Sequence, residues 1–131
     1  MNALYIFVGG GLGSLARWGV SGLVASKMGE AFPWGTIIVN VSGSFVIGLF
    51  AALTGPEGRW LAPATLRDFI MIGLCGGYTT FSSFSLQTLS LANDGEWIKA
   101  GANALLSLTL CLSGVWLGHT LAMNLNSAQG E

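Results

Sequence analysis

Apolar residues dominate four stretches of the chain, and polar or turn-forming residues separate them. The stretches run over about residues 3–26, 36–53, 69–92 and 98–123. A helix needs about 20 mostly apolar residues to cross the hydrocarbon core of a bilayer. The connections between the stretches carry charged residues together with Gly, which are typical of loops. The pattern predicts an all-α membrane protein with a single domain, residues 1–131, and four transmembrane helices.

The ends of these stretches support the same assignment. Trp34, Trp60 and Trp97 lie where apolar segments begin or end, and Trp side chains are enriched at membrane–water interfaces. Because no basic segment precedes the first stretch, we expect it to remain as a helix rather than to act as a cleaved signal peptide. The polar tail, residues 124–131, is expected to be frayed.

Charge and composition exclude several classes of protein. Of the 131 residues, 52% are hydrophobic and 8% are charged, whereas soluble domains carry about 25% charged residues. The net charge of −1 provides no basic face for phosphates, so we expect no nucleic-acid partner. An enzyme has the least support, because the sequence offers no set of base, nucleophile and metal ligands.

Small residues recur four positions apart in every stretch. The pairs are Gly9 and Gly13, Ser44 and Gly48, Gly73 and Gly77, and Gly114 and Gly118. Residues with this spacing share one face of a helix, and small residues let two helices approach closely in lipid. We therefore expect these faces to be contacts between helices.

Lys and Arg are balanced between the two sides of the membrane. With the N-terminus in the cytoplasm, Arg59 and Arg67 lie inside and Lys27 and Lys99 lie outside. Because an excess of Lys and Arg in cytoplasmic loops sets orientation, an equal count favours insertion in both directions. Two oppositely inserted copies can form an antiparallel homodimer, and four short helices alone barely enclose a pore.

Two polar residues inside the first two stretches are candidates for function. Arg17 is the one formal charge well inside a predicted span; it is either functional or a residue that snorkels or bonds carbonyls at a helix end. Asn40 either bridges two helices or donates an N–H to a passing anion. A cationic interior without carboxylates fits an anion better than a cation.

The centre of the third stretch is a poor place for a continuous helix. Gly76 and Gly77 precede Thr79 and Thr80, and Gly and Thr are weak helix formers. A break there frees carbonyls that lipid cannot satisfy, and such carbonyls can coordinate a cation. An intact helix with a kink is the alternative.

Aromatic and polar residues follow at helical spacing. Phe81 and Phe84 share a helix face, and serines adjoin both. Ring edges are positive, so the two rings can stabilise a partly dehydrated anion without holding it tightly. In the fourth stretch Asn103, Ser107 and Cys111 form a polar stripe, which is either a contact between helices or a track that replaces water.

Three motifs in these stretches resemble the fluoride channel family called Fluc or CrcB. They are Gly9-Gly10-Gly11-Leu12-Gly13-Ser14-Leu15-Ala16-Arg17-Trp18, then Trp34-Gly35-Thr36 with Val39-Asn40-Val41-Ser42-Gly43, then Gly73-Leu74-Cys75-Gly76-Gly77-Tyr78-Thr79-Thr80-Phe81-Ser82-Ser83-Phe84-Ser85. The resemblance covers nearly the whole chain. It implies a fluoride-selective passive channel of the bacterial inner membrane, built as an antiparallel dual-topology homodimer with two pores and a third helix broken at its centre.

The resemblance also implies roles for individual residues. The implied pore residues are Asn40, Tyr78, Phe81, Ser83, Phe84 and Ser107. Of these, Phe81 and Phe84 would form an aromatic box, Asn40 would donate a hydrogen bond, and Ser83 and Ser107 would continue a polar track. Hydrogen fluoride would enter bacteria in acidified surroundings as a neutral acid and dissociate inside, and the trapped anion would leave down its electrochemical gradient.

A structural sodium ion at the dimer interface is the implied cofactor. The carbonyls of Gly76 and Thr79 would bind it, and Arg17 would have a structural or electrostatic role. Three positions depart from the family pattern: Gln87 stands where a Glu is common, Tyr78 stands where an apolar residue is usual, and Cys111 stands where small hydroxyls are frequent. If the family carboxylate tunes the pore mouth, gating or rate differs in this chain.

Two other classes of membrane protein fit parts of the pattern. Small multidrug exporters share this size, four spans and dual topology, but they depend on a Glu in the first helix, where this chain has Arg17. A non-transporting assembly protein would explain the small-residue faces, but not the polar strip with paired phenylalanines.

Overall fold

The computed structural model describes residues 2–128 and is helical, without strands, in that range. The helices are α1 (Asn2–Met28), α2 (Trp34–Leu53), α3 (residues 64–78, made of Ala64–Arg67, the π-helical Asp68–Cys75, and Gly76–Tyr78), α4 (Phe81–Asn93) and α5 (Trp97–Ser127). Most connections are short, and the longest joins α2 to α3.

Three helical regions are long and apolar enough to cross a membrane: Trp34–Leu53, Ala64–Asn93 and Trp97–Ser127. The second of these comprises α3 and α4. Helix α1 has 27 residues, or about 40 Å at 1.5 Å per residue, so it has the length to cross a membrane, but it is not among these three regions. With three such regions and only helices in residues 2–128, the chain is a multi-pass membrane protein.

Helix α2 packs along α5 through small residues. Gly48 lies against the backbone of Val115, and Gly118 lies against the Phe45 carbonyl. A Cβ atom added at Gly114 would lie 3.0 Å from the Val41 carbonyl oxygen. The backbones thus approach to a distance that leaves no space for side chains, and the predicted small-residue face is confirmed as a helix contact.

Helix α1 packs along α3 in the same way. A Cβ atom at Gly9 would lie 2.5 Å from the Phe69 carbonyl oxygen, and one at Gly73 would lie 2.9 Å from the Ile6 carbonyl oxygen. Gly13 lies against the Leu74 carbonyl. Close contact in lipid is stabilised by van der Waals packing, so these glycines fix the spacing of the second helix pair.

Helix α5 is longer than the sequence predicted. The expected frayed tail, residues 124–131, is wrong for its first part, because the helix continues through Ser127. Asn126 explains this: its Nδ2 donates to the Ala52 carbonyl (3.2 Å), and its Oδ1 accepts from the Arg59 N–H (3.1 Å). These bonds join the last turn of α5 to the end of α2 and to the connection that follows it. Residues 129–131 lie outside the described range.

Candidate functional site

The helical backbone is interrupted for two residues between α3 and α4. Thr79 (φ −82°, ψ 157°) and Thr80 (φ −152°, ψ 110°) are both extended. The Thr79 N–H donates the last helical bond of α3, to the Cys75 carbonyl at 2.9 Å, and the Thr79 hydroxyl donates to the same carbonyl at 2.8 Å. Thr80 Oγ1 accepts from the Ser83 N–H at 3.2 Å and caps the start of α4. The Thr80 hydroxyl thus takes the place of the Thr79 carbonyl, which the Ser83 N–H would have bonded in a continuous helix.

Asn40 of α2 hydrogen-bonds to the backbone of this interruption. Its Oδ1 accepts from the Thr80 N–H (2.7 Å), and its Nδ2 donates to the Thr80 carbonyl (3.0 Å). In a continuous α-helix the Thr80 N–H would bond the Gly76 carbonyl four residues earlier. An amide has two N–H donors, so Asn40 has a second N–H for a ligand in the cavity that it lines.

A cavity of about 350 Å³ lies beside the extended residues. Phe81 and Phe84 line it from α4, Asn40 from α2 and Ser107 from α5, and the rest of the wall is mostly apolar. Within the described part of the chain, no Asp, Glu, Lys or Arg is among its lining residues. The sequence candidates that surround this space are Asn40, Gly76, Thr79, Phe81, Phe84 and Ser107.

The two phenylalanine rings form a tilted pair. Their centroids are 5.3 Å apart and their planes meet at 52°. Tilted pairs present hydrogen-bearing edges to their surroundings as well as faces. The Phe81 side chain is 76% exposed in the single chain, whereas Phe84 is half-buried. The aromatic wall of the cavity is therefore open on the Phe81 side.

Two sequence candidates, Tyr78 and Ser83, lie outside the lining of this cavity. The Tyr78 hydroxyl and Ser42 Oγ are 2.9 Å apart. Because Ser42 donates its own proton to the Ile38 carbonyl (2.7 Å), the Tyr78 hydroxyl is the donor. Ser83 Oγ accepts from Thr80 Oγ1 at 3.0 Å. In this single chain both side chains form hydrogen bonds next to the interruption and stabilise it.

Arg17 and Gln87 also lie away from this cavity. Arg17 is half-buried, and it forms no ion pair within residues 2–128, where Lys99 pairs with Glu96. Gln87 lines a second space of about 450 Å³, bounded by α1, α2 and α4. Its Oε1 is buried without a hydrogen-bond partner among the described residues.

Sequence reasoning placed Thr80 in the predicted break but gave it no role in the site, and it did not select Thr88. A Thr directly before an amphipathic run is a helix-start signal, which identifies Thr80. Thr88 accepts from Asn103 Nδ2 at 2.8 Å and so joins α4 to α5. No local signal marks Thr88, because its partner lies on another helix.

Comparison with known proteins identifies relatives along nearly the whole chain. The family described as CrcB-like protein, Camphor Resistance (CrcB), matches residues 4–119. A fluoride-specific ion channel FluC of Opitutus terrae is 62% identical over 128 residues, which are 98% of this chain and 97% of that protein. Proteins of the same name from Rhodospirillum rubrum and Methylocella silvestris are 56% and 55% identical, over 96% and 99% of this chain and 98% and 99% of their own lengths. The resemblance carried by the sequence motifs is confirmed, and the chain belongs to the CrcB family.

Proposed function

We propose that this chain is a fluoride-selective ion channel that lets fluoride leave the bacterial cytoplasm passively and so relieves fluoride toxicity. Relatives that match almost its entire length are named fluoride-specific ion channels. The observation that carries the proposal is the cavity beside Thr79 and Thr80, where two phenylalanine rings, an amide and a hydroxyl meet and no charged side chain of residues 2–128 lines the wall. No catalytic step is part of this function.

The cavity offers donors that suit a partly dehydrated small anion. Asn40 has an N–H, Ser107 has an O–H, and Phe81 and Phe84 have positive ring edges. Conduction requires an ion to be held strongly enough to enter and weakly enough to leave. A wall without Lys or Arg meets the second condition. A wall without Asp or Glu offers no carboxylate for proton coupling, which favours passive flow.

The direction of flow follows from acid–base chemistry. Hydrogen fluoride crosses the membrane as a neutral weak acid and dissociates in the more alkaline cytoplasm, where the anion is trapped. A passive pathway for the anion then releases it down its electrochemical gradient. This function places the chain in the bacterial inner membrane, with α1, α2, the combined α3 and α4, and α5 as four spans.

An antiparallel homodimer with two pores is the proposed assembly. Phe81 lines the cavity but is 76% exposed in one chain, so an ion beside it would not be enclosed. Gly76 also lines the cavity and is exposed. A second, inverted copy would cover this open side. The equal distribution of Lys and Arg is compatible with insertion in both orientations.

A structural sodium ion is proposed at the interruption, where Gly76 and Thr79 of both copies would hold it through their carbonyls. The residues fit such an ion, because Asn40 takes the Thr80 N–H that would otherwise bond the Gly76 carbonyl. A Cβ atom at Gly76 would meet one neighbour within 4 Å, the Met71 carbonyl oxygen at 3.9 Å, so this turn faces open space. Carbonyls at interrupted helices coordinate sodium in other membrane proteins. A bound ion would supply fixed positive charge between the subunits.

Ion release from liposomes tests the proposed function. Purified protein is reconstituted into liposomes loaded with potassium fluoride and potassium chloride, and valinomycin is added to carry the compensating potassium. We expect fluoride to leave and chloride to stay, as read by two ion-selective electrodes beside protein-free liposomes. Folded, reconstituted protein that releases no fluoride, or releases both anions equally, would overturn the proposal.

A further inference from the structure

A buried chain of hydrogen bonds leads from α4 to the cavity wall. Asn103 is 1% exposed and Ser107 is 6% exposed. Thr88 Oγ1 donates to the Phe84 carbonyl (2.8 Å), Asn103 Nδ2 donates to Thr88 Oγ1 (2.8 Å), and Ser107 Oγ donates to Asn103 Oδ1 (3.4 Å). Of these four residues, Phe84 and Ser107 line the cavity, whereas Thr88 and Asn103 do not.

Counting protons shows which atom donates and which accepts at each step of this series of hydrogen bonds. A hydroxyl has one proton, and that of Thr88 is used on the Phe84 carbonyl. Thr88 Oγ1 is therefore an acceptor toward α5, so the Asn103 amide must turn its nitrogen to Thr88 and its oxygen to Ser107. Thr88 thus sets the orientation of Asn103, and Asn103 in turn presents an acceptor to the Ser107 proton.

Ser107 differs from other hydroxyls of the helices in how its proton is bound. The hydroxyls of Ser42, Ser85 and Thr88 donate to the carbonyl four residues earlier at 2.7, 2.9 and 2.8 Å. Ser107 instead donates to a side chain, at 3.4 Å. Hydrogen bonds from a hydroxyl to oxygen are normally about 2.5–3.0 Å long, so the Ser107 proton is held weakly.

We propose that Asn103 is a positioning residue that keeps the Ser107 proton available to an anion in the cavity. With no anion present, the proton is directed to Asn103 Oδ1 over a long bond. When an anion enters, the hydroxyl turns and donates to it, and one weak bond is lost. Without the Asn103 side-chain amide, the Ser107 hydroxyl would donate to the backbone carbonyl of residue 103, four residues earlier. The anion would then have to break a shorter, stronger bond.

This inference rests on the proposed function. A double-mutant cycle tests it, with fluoride efflux from liposomes as the measurement. Asn103→Leu removes the amide at similar volume, and Ser107→Ala removes the hydroxyl. We expect Asn103→Leu to slow efflux by about two- to tenfold, the range of one net hydrogen bond. In the Ser107→Ala background the same change has no further effect, because there is no proton left to position.

A second pair of variants covers the case in which Asn103→Leu does not fold. Thr88→Val removes the acceptor for Asn103 Nδ2 while keeping the shape of the side chain, and Thr88→Ser keeps the hydroxyl. We expect Thr88→Val to slow efflux in the natural background but not in the Ser107→Ala background. Thr88→Ser should release fluoride at the rate of the unmutated protein. Elution volume and helical circular dichroism establish that each variant is folded.

The outcomes separate this inference from the proposed function. If the unmutated protein conducts and Asn103→Leu or Thr88→Val slows efflux equally with and without Ser107, the two residues act through structure alone and the positioning role is overturned. Normal efflux in both variants would overturn it as well. If the unmutated protein does not conduct fluoride, the proposed function falls, and the positioning role falls with it.

Discussion

Thr80 has both of its backbone polar groups paired, although it lies outside any helix. One side chain, Asn40, provides both partners. Burying a backbone polar group without a partner is unfavourable, and in lipid no water is available to replace it. Asn40 therefore has a structural task at the interruption, and its second N–H is free for the cavity.

Asn40→Asp tests both tasks. A carboxylate cannot donate to the Thr80 carbonyl, and its charge would repel an anion at low dielectric. We expect fluoride efflux to fall by about tenfold or more, since loss of one buried partner costs about 1–3 kcal/mol. Asn124→Asp makes the same change at an exposed position near the end of α5 and should conduct normally. Unchanged efflux in Asn40→Asp would place this residue outside the pore.

Phe81→Ile tests the aromatic wall. Isoleucine keeps an apolar side chain but has no positive ring edge, so the anion loses a favourable contact. We expect efflux to fall about tenfold, in the range of aromatic contact energies of about 0.5–1.5 kcal/mol, with helicity and elution unchanged. Phe7→Ile is the matched control, because Phe7 is similarly exposed (79%) and lies on α1. Equal efflux in the two variants would remove the aromatic role.

At the scale of elements, the glycine faces set how closely the helices approach. A Cβ atom at Gly118 would overlap the Phe45 carbonyl, whereas one at Gly101, on the same helix, meets nothing within 4 Å. We expect Gly118→Ala to destabilise the protein by about 1–3 kcal/mol, as overpacking does. Gly101→Ala should be neutral or stabilising, because Ala favours helix over Gly by about 1 kcal/mol. Thermal unfolding in detergent measures both, and equal midpoints would contradict the close contact.

The start of α3 was predicted too late because its charges suggested a loop. The sequence pattern placed the third stretch from residue 69, whereas the helix begins at Ala64. Arg67 Nη1 donates to the hydroxyl (2.6 Å) and the carbonyl of Thr54, and Asp68 Oδ2 accepts from Asn2 Nδ2 (3.0 Å). Charges satisfied in this way are compatible with a helix, but the partners lie on other segments and give no local signal.

Helix propensity alone does not locate the interruption between α3 and α4. Gly76, Gly77, Thr79 and Thr80 all weaken a helix, so sequence reasoning could indicate the region but not the residue. In the structure the two glycines remain helical and the two threonines are extended. Gly77 is needed where the backbone of α1 comes close, at Gly10. The extended threonines depend on the amide of another helix, which local propensity does not contain.

Only part of the candidate site could be predicted from the sequence, because side-chain contacts between helices are again not contained in the local pattern. The residues that bring specific chemistry, Asn40, Phe81, Phe84 and Ser107, are conspicuous because polar and aromatic groups are arranged on apolar helices. The direction in which each side chain points depends on pairing between helices. Tyr78 turns to Ser42, and no pattern of spacing predicts that choice.

At the scale of the whole molecule, a single chain leaves its cavity open on the Phe81 side, which the proposed second copy would cover. If the dimer is antiparallel, any loop position must be found on both sides of the membrane. Glu57→Cys, in a background with Cys75→Ala and Cys111→Ser, provides one exposed thiol. With an impermeant maleimide we expect labelling of about half the chains from outside, given balanced insertion, and of the rest after permeabilisation. Labelling of all or none from outside would contradict dual topology.

The reversal potential in a planar bilayer tests selective, passive fluoride conduction most directly. With a tenfold fluoride gradient, a fluoride-selective channel reverses at about 59 mV, the tenfold value for one charge. We predict this value, unchanged when a chloride gradient or a pH gradient is added. A reversal potential near zero, or one that follows chloride or pH, would contradict the account, because the pathway would then be unselective or coupled to protons.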